Sequence, residues 1–238
     1  MILYTIMDTV LIENIKNIYR KISSAAIRSG RSPFDVKLVA VTKTVGIEGV
    51  KEAVDLGLRV LGESKVQEAE GKIMDCRLKA PDCLVEWHLV GHLQSNKAKT
   101  AVQLFDLIHS LDSVALAEEL DKHAGRYGKV QPVLIEVKLS AEATKYGVSK
   151  EGLPDLIEAV SKMKNLRLDG LMTIPPFFDD PEMARQFFKE LRELRDRAEK
   201  SGYKLPELSM GMTHDFEVAI EEGATMVRVG TGIFGERR

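Results

Sequence analysis

A lysine stands at the end of the first strongly apolar run of the sequence, Val36 to Lys43. Apolar, β-branched runs of this length are typical of strands buried on both faces of a parallel sheet. An amine at the carboxyl end of such a strand would lie at the rim of a shielded crevice, where loss of solvent lowers the pKa of a lysine and favours nucleophilic or Schiff-base chemistry. Lys43 is therefore a candidate site residue, although a lysine that simply reaches solvent from a strand end would give the same pattern.

A second group of candidates follows the last two apolar runs of the chain. Its small and hydroxyl-bearing residues allow close backbone approach and provide donors, as a phosphate site requires. These residues are Ser209, Gly211, Gly230 and Thr231. Arg228 lies among apolar residues just before the last turn, and because arginine keeps its charge in proteins, its burial requires an ion-pair partner or a ligand.

Other chemistries find less support in the sequence. His88 and His92 are four residues apart, but they fall on a strand and its turn, where this spacing does not converge two imidazoles on one metal ion. We expect no metal site. A Ser/His/Asp triad stays open, without a nucleophile-elbow pattern to support it. A dinucleotide motif at Gly230, Gly232 and Gly235 lacks the helix that must follow it.

The elements that must position these residues form eight apolar strand candidates separated by helical patterns. The candidates cover residues 36–43, 59–62, 85–90, 107–110, 132–137, 168–172, 207–210 and 226–229. Such alternation predicts a parallel sheet, and eight units in about 250 residues predict a closed barrel. We therefore predict an α/β fold: one (β/α)₈ TIM-barrel domain over residues 1–238, with an extra N-terminal helix from about Asp8 to Arg28. A doubly wound open sheet is the alternative.

In a barrel, functional groups lie at the carboxyl ends of the strands, and the loops after strands 7 and 8 often bind phosphate. Lys43 and the residues of both glycine-containing turns fall at such ends. Thr213, which follows the seventh strand candidate, is in position to cap the next helix, which runs to Gly223.

Composition narrows the function classes. The chain has 238 residues, 29% of them charged, and a net charge of −2, which argues against broad binding to nucleic acid or anionic membranes. No apolar run is long enough to span a bilayer, and the N-terminus lacks the basic leader of a signal peptide. Cys76 and Cys83 show neither metal nor redox spacing, so we expect reduced thiols and a cytoplasmic protein.

Six ordered segments resemble one known family. They are the first strand with Lys43, GESKVQE (62–68), WHLVGHLQSNK (87–97), GLMTIPP (170–176), LSMGMTHDFEVAI (208–220) and RVGTGIFG (228–235). Together they resemble the pyridoxal-phosphate homeostasis proteins, cytoplasmic relatives of the N-terminal barrel of alanine racemase. The resemblance extends from about Val36 to Gly235, and the ordered set is far more specific than any single motif.

The resemblance implies that pyridoxal 5′-phosphate is held as a Schiff base on Lys43. It further implies that Arg228 faces the pyridine nitrogen and that Lys145 takes part in secondary binding or release of the cofactor. Ser64 stands where the family usually has asparagine; its shorter side chain can still donate a hydrogen bond. The positions matched to the phosphate are Ser209, Gly230 and Thr231, and those in motifs that line the pocket are His88, Met172, Met210 and Gly211.

Three functions are compatible with this reading. The first is a cofactor carrier that holds pyridoxal phosphate and delivers it to apo-enzymes, as a monomer and without efficient turnover. The second is an amino-acid racemase of the alanine racemase type, with His88, His214 or a tyrosine as second base. The third is a cofactor-free Schiff-base aldolase. An arginine at the ring nitrogen weakens the electron sink, and we expect no second domain to supply a further acid or base, so the carrier is favoured.

Overall fold

The structure is a computed structural model that describes residues 2–79, 84–140, 142 and 146–235. Lys145 and Cys83, both considered above, lie outside the described residues. In the part of the chain that is described, no helix is long and apolar enough to cross a membrane.

The sheet is a closed barrel whose neighbouring strands are all parallel and follow chain order. The prediction of a (β/α)₈ barrel is confirmed, and the open-sheet alternative is excluded. The strands are β1 (Lys37–Val41), β2 (Val60–Glu63), β3 (Glu86–Leu89), β4 (Leu107–Leu111), β5 (Gln131–Glu136), β6 (Leu166–Met172), β7 (Glu207–Met212) and β8 (Met226–Val229).

Helices follow the strands and cover the outside of the barrel, as parallel connections require. They are α1 (Ile2–Arg28), α2 (Ile47–Asp55), α3 (Val66–Lys79), α4 (Ala98–Leu104), α5 (Val114–Arg126), α6 (Leu153–Ser161), α7 (Arg185–Lys200), α8 (Phe216–Glu221) and the short α9 (Thr231–Phe234). The extra N-terminal helix is thus confirmed, and it begins at Ile2 rather than near Asp8.

Two apolar layers explain why the strands are apolar on both faces. The larger layer lies between the sheet and the helices, and the smaller one fills the barrel interior. The interior layer contains Val39, Val41, Val90, Leu107, Leu134, Met172 and Met226. Because side chains alternate along a strand, each inward residue is followed two positions later by another.

Helix α1 supports the turn that follows β8. Ile18 is buried on α1, and a Cβ atom added at Gly232 would come within 3.2 Å of its Cδ1. The side chain of Asn14 donates a hydrogen bond to the carbonyl oxygen of Ile233, at 2.9 Å. The extra helix therefore fixes a segment that the sequence predicts to be functional.

Candidate functional site

Lys43 lies two residues beyond the end of β1, in a turn. Val39 and Val41 belong to the interior layer, and Lys43 follows at the carboxyl end of β1, which lies at the mouth of the barrel. The residue is exposed, whereas the sequence predicts an amine at the rim of a shielded crevice, with a lysine that reaches solvent as the alternative. The strand ends at Val41, earlier than the sequence predicts.

The backbone on both sides of Lys43 is tied to helix α3. The carbonyl oxygen of Thr42 accepts a hydrogen bond from Lys72 Nζ at 2.7 Å. The N–H of Thr44 donates to Glu68 Oε1 at 2.5 Å, and the same carboxylate pairs with Lys72. Thr44 has a φ of 66°, the one left-handed non-glycine backbone among the described residues. Although Lys43 is exposed, its main chain is held at two points.

Glu63 binds both Thr42 and Lys72 and so adds a further link between the end of β1 and helix α3. Its carboxylate is fully buried and accepts from Lys72 at 2.8 Å and from the hydroxyl of Thr42 at 2.6 Å. Burial raises the pKa of Glu63, an effect partly offset by the bonds from Lys72 and Thr42. Lys72 therefore neutralises a buried carboxylate while it holds the strand end that carries Lys43.

Arg228 is buried on β8 with limited compensation for its charge. Its guanidinium donates to Ser209 Oγ at 2.5 Å and to the carbonyl oxygen of Thr173 at 2.9 Å. Among the described residues no salt bridge of Arg228 is found, and the carboxylates of Glu136 and Asp215 act on it through their electrostatic fields. Burial lowers the pKa of Arg228 to about 10, against the opposing fields of Glu136 and Asp215. The side chain remains a cation at neutral pH.

Two buried histidines lie behind Ser209. His109 Nδ1 is 2.9 Å from Ser209 Oγ, and His109 Nε2 is 3.0 Å from His88 Nδ1. Burial lowers the pKa of both rings, most strongly that of His109. The sequence motifs that predict His88 do not include His109. The available signal was a polar residue at the inward position of a buried strand, two residues after Leu107.

The turn after β8 contains weakly satisfied donors. Thr213 Oγ1 accepts from the N–H groups of Gly230 and Gly232, both at 3.4 Å, and lies 3.3 Å from Thr231 Oγ1. These distances exceed the usual N–H···O distance of about 2.9–3.0 Å. Thr213 does not cap helix α8, because Asp215 occupies the N-cap position. Its hydroxyl instead faces the glycine turn, a role that the sequence analysis missed.

The order of the strands brings these groups together. Strand β1 pairs with β8, with Val39 beside Arg228 and Ala40 beside Val229. A Cβ atom at Gly230 would lie 3.4 Å from the carbonyl oxygen of Val41. The lysine turn, the guanidinium and the glycine turn therefore lie at the ends of neighbouring strands on one side of the barrel mouth.

The other predicted site residues have different environments. Met172 belongs to the interior layer, but Met210 lies in the outer layer, between sheet and helices, and so does not line the interior. The alternation of β7 explains this position, because Ser209 faces inward. Gly211 has a φ of 89°, which favours glycine. Ser64 is half-buried, and its carbonyl oxygen would be 2.3 Å from a Cβ atom at Gly91.

Comparison with known proteins agrees with this architecture. The family model for "Alanine racemase, N-terminal domain" matches residues 12–238. A protein of Aquifex aeolicus named pyridoxal phosphate homeostasis protein is 46% identical over 227 residues, which are 95% of this chain and 98% of the relative. A protein of the same name from Escherichia coli K12 is 39% identical over 230 residues, with 94% and 95% coverage.

Solved structures extend the comparison. PipY of Synechococcus elongatus, solved with PLP bound, superposes with a TM-score of 0.80 at 37% identity and covers 92% of this chain and 100% of its own. Alanine racemase of Clostridium difficile gives a TM-score of 0.73 at 15% identity, with 96% and 57% coverage. The second likeness concerns the fold alone.

Proposed function

The chain belongs to the alanine racemase N-terminal domain family and, within it, to the pyridoxal phosphate homeostasis proteins; we propose that it binds pyridoxal 5′-phosphate and maintains the supply of that cofactor. The observation that carries the proposal is the convergence of an amine, a buried and incompletely compensated guanidinium and a glycine turn at one side of the barrel mouth. The relative PipY, solved with PLP bound, supports it.

The donors at this mouth fit the chemistry of the cofactor. A phosphate dianion accepts hydrogen bonds, and the turn offers the N–H groups of Gly230 and Gly232 with the hydroxyls of Thr213 and Thr231, all held by long contacts. A pyridine nitrogen is an acceptor, and Arg228 can only donate. When bound, pyridoxal phosphate supplies an aldehyde, which we propose Lys43 holds as a Schiff base.

We propose unequal roles in binding for the predicted residues. We propose that Thr213, Gly230, Thr231 and Gly232 contact the phosphate and that Ser209 acts through Arg228, since its hydroxyl already bonds the guanidinium. Met172, Gly211 and Ser64 shape the surroundings, and Met210 supports β7 from its outer side. His88 lies behind the site, hydrogen-bonded to His109.

We propose a carrier rather than an efficient enzyme. Arg228 stays protonated at neutral pH, so it keeps a neighbouring ring nitrogen unprotonated and the electron sink weak. Racemisation also needs a second acid or base. Of the candidates, His88 is buried and bonded to His109, and His214 Nε2 contacts the carbonyl oxygen of Asp179 at 3.0 Å. The racemase remains the alternative, to be decided by assay.

The finer features of the function are proposed with it. We infer that the protein is cytoplasmic and monomeric, forms one domain and delivers the cofactor to apo-enzymes. Size-exclusion chromatography with light scattering measures the oligomeric state. Recovery of an apo-enzyme's activity faster than from the same concentration of free cofactor would support delivery, and recovery no faster than passive release would leave storage as the function.

The decisive test compares the absorbance of the wild type, Lys43→Ala and Lys51→Ala, in which a surface lysine on α2 is the matched control. We expect the wild type and Lys51→Ala to show the yellow band of a protein-bound Schiff base and Lys43→Ala to lack it. Borohydride reduction followed by peptide mapping should place the label on Lys43. A wild type that stays colourless with added cofactor would refute the binding function, and steady racemisation of amino acids would favour the racemase.

A further inference from the structure

Polar side chains form one connected chain through the apolar interior of the barrel. Arg228 contacts Ser209, Ser209 contacts His109, and His109 contacts His88. His88 Nε2 is in turn 3.5 Å from Glu86 Oε2. Glu86 is the first residue of β3. This series of side-chain contacts therefore runs from the mouth, where the candidate site lies, towards the opposite end of the barrel.

The end of this side-chain series that lies far from the mouth is charged and partly exposed. Lys37, the first residue of β1, pairs with Glu86 at 3.3 Å, and their side chains are 40% and 54% exposed. Contacts with His88 and Lys37 lower the pKa of Glu86 to about 2. The carboxylate is therefore ionised at neutral pH and can only accept hydrogen bonds.

The groups at the two ends favour one direction for the hydrogen bonds between them. His88 Nε2 lies 3.5 Å from the ionised carboxylate of Glu86, a distance longer than a usual hydrogen bond, and this negative charge favours the proton of a neutral His88 on Nε2. His88 Nδ1 then accepts. His109 must then donate from Nε2, which leaves its Nδ1 as an acceptor for the hydroxyl proton of Ser209. The lone pairs of Ser209 remain for Arg228, which can only donate.

The opposite direction is unfavourable at both ends. It would place the bare Nε2 lone pair of His88 against an ionised carboxylate. It would also require Ser209 Oγ to accept from His109 and Arg228 together, which leaves the hydroxyl proton to find another acceptor in a buried site. With both rings neutral, only the first arrangement places a donor opposite an acceptor at every contact.

We propose that His109 is a positioning residue for Arg228, and that Glu86, through His88, holds it in the Nε2–H tautomer. The hydroxyl proton of Ser209 is committed to His109, so its lone pairs face the guanidinium and keep it in a fixed orientation. The inference deepens the proposed function, since Arg228 is the group that would meet the cofactor ring, but the tautomers can be tested without cofactor.

The first experiment measures these tautomers by long-range ¹H–¹⁵N correlation in ligand-free protein at pH 7. Signals are assigned by their loss in His88→Asn and His109→Gln, and His123 on outer helix α5 serves as a reference signal. We expect both interior rings to be neutral and protonated on Nε2. A proton on Nδ1 of either ring, or a cationic ring, would overturn the proposal.

The second experiment separates positioning from packing with two amides at one position. In His109→Asn the side-chain oxygen can replace Nδ1 and accept from Ser209, whereas in His109→Gln the amide nitrogen can replace Nε2 and reach only His88. We expect the dissociation constant for pyridoxal phosphate to change less than about twofold in the first variant and to rise about tenfold in the second, the loss of about one hydrogen bond.

Urea unfolding of both variants shows whether each is folded. Equal affinity in the two variants, or a larger loss in His109→Asn, would contradict positioning through Ser209. A wild type that binds no cofactor would refute the proposed function, while the tautomer measurement would still decide whether the interior chain exists.

Discussion

Lys72 and Arg228 are two cations removed from solvent near the same barrel mouth, and their surroundings differ in kind. Lys72 meets two carboxylates and a carbonyl oxygen within 2.8 Å. Arg228 meets a hydroxyl and a carbonyl oxygen, both neutral. A fully neutralised cation stabilises the fold, because its removal leaves its carboxylate and carbonyl partners without a donor. An incompletely compensated one is available to a ligand.

The largest expected effect tests the neutralised cation. Lys72→Met leaves the carboxylate of Glu63 buried without its cation, and we expect the free energy of unfolding at pH 7 to fall by about 3 kcal/mol in urea titrations. In the double variant with Glu63→Gln the buried charge is absent, so most of the loss should be recovered. Wild-type stability in Lys72→Met, or no recovery in the double variant, would show that Lys72 has no such role.

Acidification should reveal the neutral histidines behind Arg228. The folded pKa values of His88 and His109 are lowered, so the unfolded state binds more protons below about pH 6.5. Stability is complete above that pH and falls as the pH drops, by up to about 1.4 kcal/mol per pH unit for each ring. His109→Gln should remove the contribution of His109 to the slope of the free energy of unfolding against pH. Ser110→Ala, which changes a non-titrating neighbour on β4, should leave that slope unchanged. An unchanged slope in His109→Gln would contradict the effect.

A smaller effect concerns the glycine turn beside Arg228. Thr213→Val removes the hydroxyl but keeps the shape, and we expect the dissociation constant for pyridoxal phosphate to rise about tenfold, or about 1.4 kcal/mol, in fluorescence titrations. Thr213→Ser keeps the hydroxyl and should bind within about twofold of the wild type. Weak binding by the serine variant would mean that the methyl group, not the hydroxyl, matters.

The smallest expected effect on stability is that of removing Arg228, the cation compared with Lys72 above. Arg228→Met removes a buried cation that forms no salt bridge among the described residues, so the free energy of unfolding without cofactor should change by less than about 1 kcal/mol. Cofactor affinity should nevertheless fall, because the ring nitrogen loses its proposed donor. A loss of stability as large as that of Lys72→Met would erase the distinction between the two cations.

The sequence was sufficient for the barrel because strands buried on two faces leave continuous apolar runs. It also predicts Lys43 and Arg228 as site residues, because their charges interrupt such runs. It could not identify Lys72, because the carbonyl oxygen that this residue binds belongs to Thr42, 30 positions earlier. Thr213 and His109 were missed for a related reason: their partners, Gly230 and Ser209, become neighbours only when the barrel closes.

Thr44 follows the proposed Schiff-base lysine. Substitution at this position would exchange folding stability against a well-defined position of the lysine. A non-glycine residue in the left-handed region costs about 1–2 kcal/mol, and here the bond from its N–H to Glu68 opposes that cost. Glycine would relieve the strain but widen the range of conformations open to the turn. Directed evolution for heat resistance alone would therefore tend to accept glycine at this position, and the lysine turn would then have a less well-defined conformation.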